Sequence, residues 1–148
     1  MIAKNCEGRV PPAGTLTEAD KAMLAQADGL LAKTRVAMQD FALHVVLADI
    51  WAVVAEANRY FAGEAPWVLA KTDPTRQKTV LYVTAEVVRQ IAILAQPAMP
   101  EAGSKLLDLL GVAPDARDFA SLARRLNAGT QLPPPSAVFP RYVEPAGT

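Results

Sequence analysis

The chain has little of what most chemistry requires. Its 148 residues include one cysteine and one histidine. Cys6 alone excludes an intrachain disulfide and fits a reducing compartment, so a cytoplasmic location is expected. One Cys and one His far apart in sequence give no metal-ligand spacing. His44 sits beside an apolar helical stripe, where a lone imidazole reads as structural. Ser104, Ser121 and Ser136 have no identifiable base, and Gly111 and Gly129 stand alone rather than in a phosphate loop. No catalytic, cofactor or metal residue is therefore expected in this chain. No apolar run approaches the roughly 20 residues of a membrane span, and no basic-then-apolar signal pattern precedes Pro11-Pro12. Lys plus Arg equals Asp plus Glu, 15 each. A protein that holds nucleic acid mainly through phosphates needs an excess of cations. Neither DNA nor a membrane is an expected partner, and any nucleic-acid contact is local or belongs to a larger whole.

What remains is helix. The apolar fraction is 51% with only 6% aromatics, and the dominance of Ala, Leu and Val suits packed helices better than sheet. After the breakers Pro11, Pro12 and Gly14, Thr17 reads as a helix cap, Asp20 as its capping-box partner and Leu16 as a staple. Leu24, Leu31 and Met38 then recur every seven residues, with Gly29 a mild weakness. A second helix carries Leu43, Leu47, Ile50, Val54, Ala57 and Phe61 at helical spacing, widened by Phe41, Val45 and Ala48. It is apolar on most sides, so it is expected to be the central helix, with Trp51 in its packing and Gly63 at its stop. Asp73-Pro74 opens a third helix, cap then first-turn proline, along Val80, Thr84, Val87, Ile91 and Leu94. A short helix with Leu106, Leu107, Leu109 and Leu110 inside ends at Gly111, and a helical turn is expected near Phe119 to Leu126. The fold class is all-α, an antiparallel bundle over 1–131 with an extended Pro-rich tail over 132–148. Between Arg59 and Arg89, Arg59, Lys71, Arg76, Lys78 and Arg89 outnumber Glu64, Asp73 and Glu86, a pattern read as ordinary solvated faces.

Trp67 is the residue that bears on function. It follows Pro66 at a break between helices, where a stiff backbone fixes its direction. An indole so placed either caps a core or lies open as a platform for a nucleobase. Arg59, Tyr60 and Lys71 are its sequence neighbours.

The run Asn58-Arg59-Tyr60-Phe61 to Glu64-Ala65-Pro66-Trp67-Val68-Leu69-Ala70-Lys71 resembles a segment of the anticodon-binding domain of bacterial methionyl-tRNA synthetases. The likeness continues through Ala3 to Pro11, through Leu81-Tyr82 to Gln96-Pro97-Ala98-Met99-Pro100, and through Leu132-Pro133 with Val138-Phe139-Pro140-Arg141. It covers nearly the whole chain in the family's order. The resemblance implies an α-helical bundle that reads a CAU anticodon, with Trp67 stacked on a base and Pro66 its support. Asn58, Arg59 and Lys71 are neighbours of that site. The implied partners are the anticodon loop of tRNA(Met) and the catalytic domain of the same synthetase. That domain would supply the ATP-dependent joining of methionine to tRNA.

Two departures matter. The family's Asn-x-x-x-Arg pair would fall just upstream of Met1. The catalytic His-Ile-Gly-His signature needs two histidines, and no Lys-Met-Ser-Lys-Ser loop occurs. The chain is therefore expected to be a C-terminal fragment, with apolar surface exposed on the domain's second and third helices. The alternatives are a helical interaction module that has lost RNA binding, or an enzyme of unknown class, which the missing acid–base–nucleophile set disfavours.

Overall fold

The computed structural model describes residues 1–139. They form α1 (Ile2–Asn5), α2 (Glu18–Gln39), α3 (Leu43–Glu64), α4 (Pro66–Thr72), α5 (Pro74–Ala95) and α6 (Pro100–Leu109), followed by two 3-10 turns at Pro114–Ala116 and Phe119–Ala123. There is no strand among the described residues. One antiparallel bridge, Arg9 to Gln131, ties the segment after α1 to the segment after the last turn. From Leu132 to Phe139 the chain is neither helix nor strand. The expectations for the rest of the tail, Pro140-Arg141 included, lie outside the described residues.

Helix starts follow local chemistry. The Thr17 hydroxyl accepts the Asp20 N–H while the Asp20 carboxylate accepts the Thr17 N–H, the reciprocal cap that the sequence suggests. Asp73 accepts the Arg76 N–H, with Pro74 in the first turn of α5. Gly111, at φ +66, stops the chain after α6.

The centre of the bundle is α5, not α3. It packs against α2, α3, α4 and α6, and residues all round it are buried, from Val80 and Val83 to Glu86, Arg89 and Ile93. Polar residues disguised it. The Glu86 carboxylate accepts from Arg89, Gln90 and the Leu126 backbone N–H, and Arg89 also donates to the Ser121 carbonyl. Mutual satisfaction lets these groups leave water, and no buried side-chain N or O among the described residues lacks a partner. Arg76 and Arg89 are thus structural ions, not members of a solvated face.

By contrast, α3 buries one edge through Val46, Ile50 and Val53. Its opposite side is open. Trp51, expected in the packing, is 49% exposed, and Phe41 just before the helix is 87% exposed. Leu43 and Val45 are exposed too, as are Val36 and Met38 of α2, and so is His44. Apolar side chains on a helix signal a face that seeks cover, and here nothing within the described chain supplies it.

Candidate nucleic-acid interface

The end of α3 is not at Gly63. The helix runs through Gly63 to Glu64, and the stop is Ala65, left-handed at φ 47 and ψ 58. A Cβ makes that conformation unfavourable by roughly 1 kcal/mol or more, so neighbours must hold it. Its N–H donates to the Phe61 carbonyl, and its own carbonyl accepts the Val68 N–H. Pro66 then opens α4, where its fixed φ suits the first helical position. Pro66 is fully buried.

Trp67 comes next and emerges at 52% exposure. Its ring meets Phe61 at 6.2 Å between centroids and 61° between planes, an edge-on contact. Such a contact restrains the indole while leaving much of it open to a partner. Half exposed, Trp67 is not enclosed as a cap of the core.

The other sequence-derived residues divide. Lys71 stands four residues after Trp67 on α4, on the same helical face, and is exposed. Asn58 stands three residues before Phe61 on α3 and is exposed, close to the stripe that carries Phe61. Arg59 is two residues from Phe61, about 160° round the helix. It is ion-paired with Glu56 at 2.8 Å and exposed.

Beneath the Trp67 ledge lies a group that sequence reading did not assemble. Asp20 of α2 is completely buried. It receives hydrogen bonds from the Arg76 guanidinium of α5, the Tyr60 hydroxyl of α3 and the Thr17 N–H. Burial pushes its carboxyl up, but the bonds from Arg76, Tyr60 and Thr17 outweigh it and hold the group down to about 2. Burial, then the bond to Asp20, raises Tyr60, while Arg76 is raised chiefly by Asp20. Arg76 also grips Glu64, the last residue of α3, at 2.8 Å. The next residue, Gln77, donates from Nε2 to the Pro66 carbonyl at 3.0 Å. The cap pattern around Thr17 exposes only half of the role of Asp20, and nothing in the local pattern marks Gln77 as buried.

Chemically, the ledge offers a flat aromatic surface with a lysine on the same side. No group of three or more His, Cys, Asp or Glu among the described residues is arranged to hold a metal. No described helix is long and apolar enough to cross a membrane. A compact all-helical domain that displays a restrained indole on a proline-anchored helix is the class of protein that fold and site define.

Comparison with known proteins narrows this. Residues 10–145 match the family described as the anticodon binding domain of methionyl tRNA ligase. The methionine–tRNA ligase of Brucella suis biovar 1 is 61% identical over 145 residues, covering 97% of this chain and 28% of that protein. The enzyme of Mycobacterium tuberculosis is 52% identical over 149 residues, 98% of this chain and 29% of that protein. The apo crystal structure of that mycobacterial synthetase superposes with a TM-score of 0.94 over 98% of this chain and 30% of its own, at 52% identity. Its methionyl-adenylate complex gives 0.92 over 95% of this chain and 28% of its own, at 51% identity.

The chain belongs to the family of methionyl-tRNA ligase anticodon-binding domains. It spans under a third of the length of the relatives it matches.

Proposed function

We propose that this chain presents Trp67 to an unpaired base of the CAU anticodon of tRNA(Met), within a methionine–tRNA ligase acting in the cytoplasm. Recognition is its contribution. Methionine activation with ATP belongs to the catalytic domain of the same synthetase, and a mycobacterial relative carries methionyl-adenylate. The observation that carries the reading is the half-open indole at the start of α4, anchored by buried Pro66 and propped by Phe61. Unpaired loop bases are what proteins read most readily in RNA, and a stacked base contributes about 1–3 kcal/mol. Lys71 shares the Trp67 face and meets a neighbouring phosphate, Asn58 offers an amide to a base edge, and Arg59 contributes charge at longer range.

The test is the affinity of an RNA hairpin displaying CAU in its loop for the wild-type chain and for Trp67→Ala. The variant is expected to bind roughly 5- to 150-fold more weakly, the range set by one stacked base. Equal affinities remove Trp67 from the site.

The open apolar side of α3, with Trp51 and Leu43 exposed, favours one other reading: a helical module that binds a protein partner. Salt separates the two. RNA binding weakens as salt rises, whereas association through exposed apolar side chains does not.

A further inference from the structure

We infer that Gln77 and Arg76 are positioning residues that set the direction of the Trp67 ring by clamping the hinge at Ala65 from both sides. The inference rests on the stacking role proposed above for Trp67 and names what makes that ring ready to stack.

The argument starts from the hinge. Ala65 is an alanine in a left-handed conformation with proline after it, so the backbone there opposes its own geometry. Ala65 is the single residue that joins α3 to α4, and α4 packs along α5. Two adjacent side chains of the first turn of α5 reach its two flanks. Arg76 holds the Glu64 carboxylate before it, with Nη2 to Oε2 at 2.8 Å and Nε to Oε2 at 3.1 Å. Gln77 holds the Pro66 carbonyl after it at 3.0 Å, entirely out of water. Arg76 is itself fixed by buried Asp20, and Asp20 by Tyr60, so the clamp is tied to α2 and α3 as well as α5. A buried amide donating to a single carbonyl fixes direction as well as distance.

Neither side chain is free to meet RNA: Gln77 is buried, and Arg76 is bound by Asp20 and Glu64. Their effect on RNA passes through Trp67. A ring held in one orientation loses less freedom when a base arrives than a ring on a swinging helix does. Gln77→Met removes the donor while nearly preserving side-chain length and volume.

The experiment is a double-mutant cycle on hairpin binding, run on the full chain with the CAU hairpin. Four proteins are compared: wild type, Gln77→Met, Trp67→Ala and the double variant. Gln77→Met is expected to weaken binding about tenfold when Trp67 is present and to leave it within twofold when Trp67 is already alanine. A second measurement uses Trp51→Phe, which leaves Trp67 as the sole indole. Adding Gln77→Met there is expected to lower the emission anisotropy of Trp67 and to raise its quenching by acrylamide. Arg76→Lys, which keeps the charge but loses the forked grip, is expected to give the same pattern.

Equal fold losses with and without Trp67 would mean that Gln77 supports the bundle generally, and the inference fails. Loss of binding in Trp67→Ala without loss in Gln77→Met would overturn the clamp alone. If Trp67→Ala binds as wild type does, the stacking proposal fails and the clamp has nothing to position.

Discussion

Asp20→Asn tests whether the buried ionic group beneath the ledge contributes what its geometry says. Asp20 is fully enclosed and accepts from Arg76, Tyr60 and Thr17. Asparagine keeps the shape, removes the charge and turns an NH2 group toward donors. Among the described residues, Arg76 would keep Glu64 as its carboxylate partner. Removing one partner of a buried pair costs about 3–5 kcal/mol. Since Glu64 stays, the lower end, about 3 kcal/mol, is expected at pH 7 from urea unfolding curves. The acid side gives a sharper check. The carboxyl lies near 2 in the folded chain against an ordinary 3.8, so its depressed value contributes stability that is present above 3.8 and lost as pH falls toward 2. A shift of that size corresponds to roughly 2.5 kcal/mol at neutral pH, of which about half survives at pH 3. The gap between wild type and Asp20→Asn should therefore narrow by about 1 kcal/mol between pH 7 and pH 3. A gap that stays constant, or a neutral-pH cost under about 0.5 kcal/mol, would refute the reasoning.

Other consequences follow from packing. Ile93, wholly buried on α5, should lose about 2–5 kcal/mol as Ile93→Ala, read from the urea midpoint with an unchanged slope. The two glycines Gly29 and Gly103 should behave oppositely. A Cβ at Gly29 meets nothing within 4 Å, so Gly29→Ala should stabilise α2 by up to about 1 kcal/mol. A Cβ at Gly103 would stand 2.9 Å from Gln96 Cγ and 3.2 Å from the Ala92 carbonyl oxygen. Gly103→Ala should thus push α6 off α5 and lower the thermal midpoint, at a cost of about 1–3 kcal/mol.

Periodicity and caps made the helices legible. Thr17 with Asp20, and Asp73 with Pro74, mark real helix starts because the groups that satisfy the first N–H donors lie within three residues. The central helix was not legible. A stripe count rewards apolar letters, and α3 has more of them than α5. Yet Glu86, Arg89 and Gln90 are buried because they satisfy one another within α5 and because the Leu126 N–H and the Ser121 carbonyl, from a distant part of the chain, complete the set. Trp51 misled for the complementary reason: an apolar residue at helical spacing announces a face, not what covers it. At the ledge, the Pro66-Trp67 pair stood out in sequence because proline and indole are each locally informative. Arg59 is a sequence neighbour of Trp67, and its ion pair with Glu56 one turn back on α3 is not written in that proximity. Gln77, ten residues on from Trp67, carried no signal, since a buried amide and a surface amide are written with the same letter.

The most direct test of the central claim follows the Trp67 ring itself. In the Trp51→Phe chain, titration with the CAU hairpin should quench Trp67 emission along the same curve that reports binding, as expected when a base lies against the indole. Saturable binding with Trp67 emission unchanged would contradict the account.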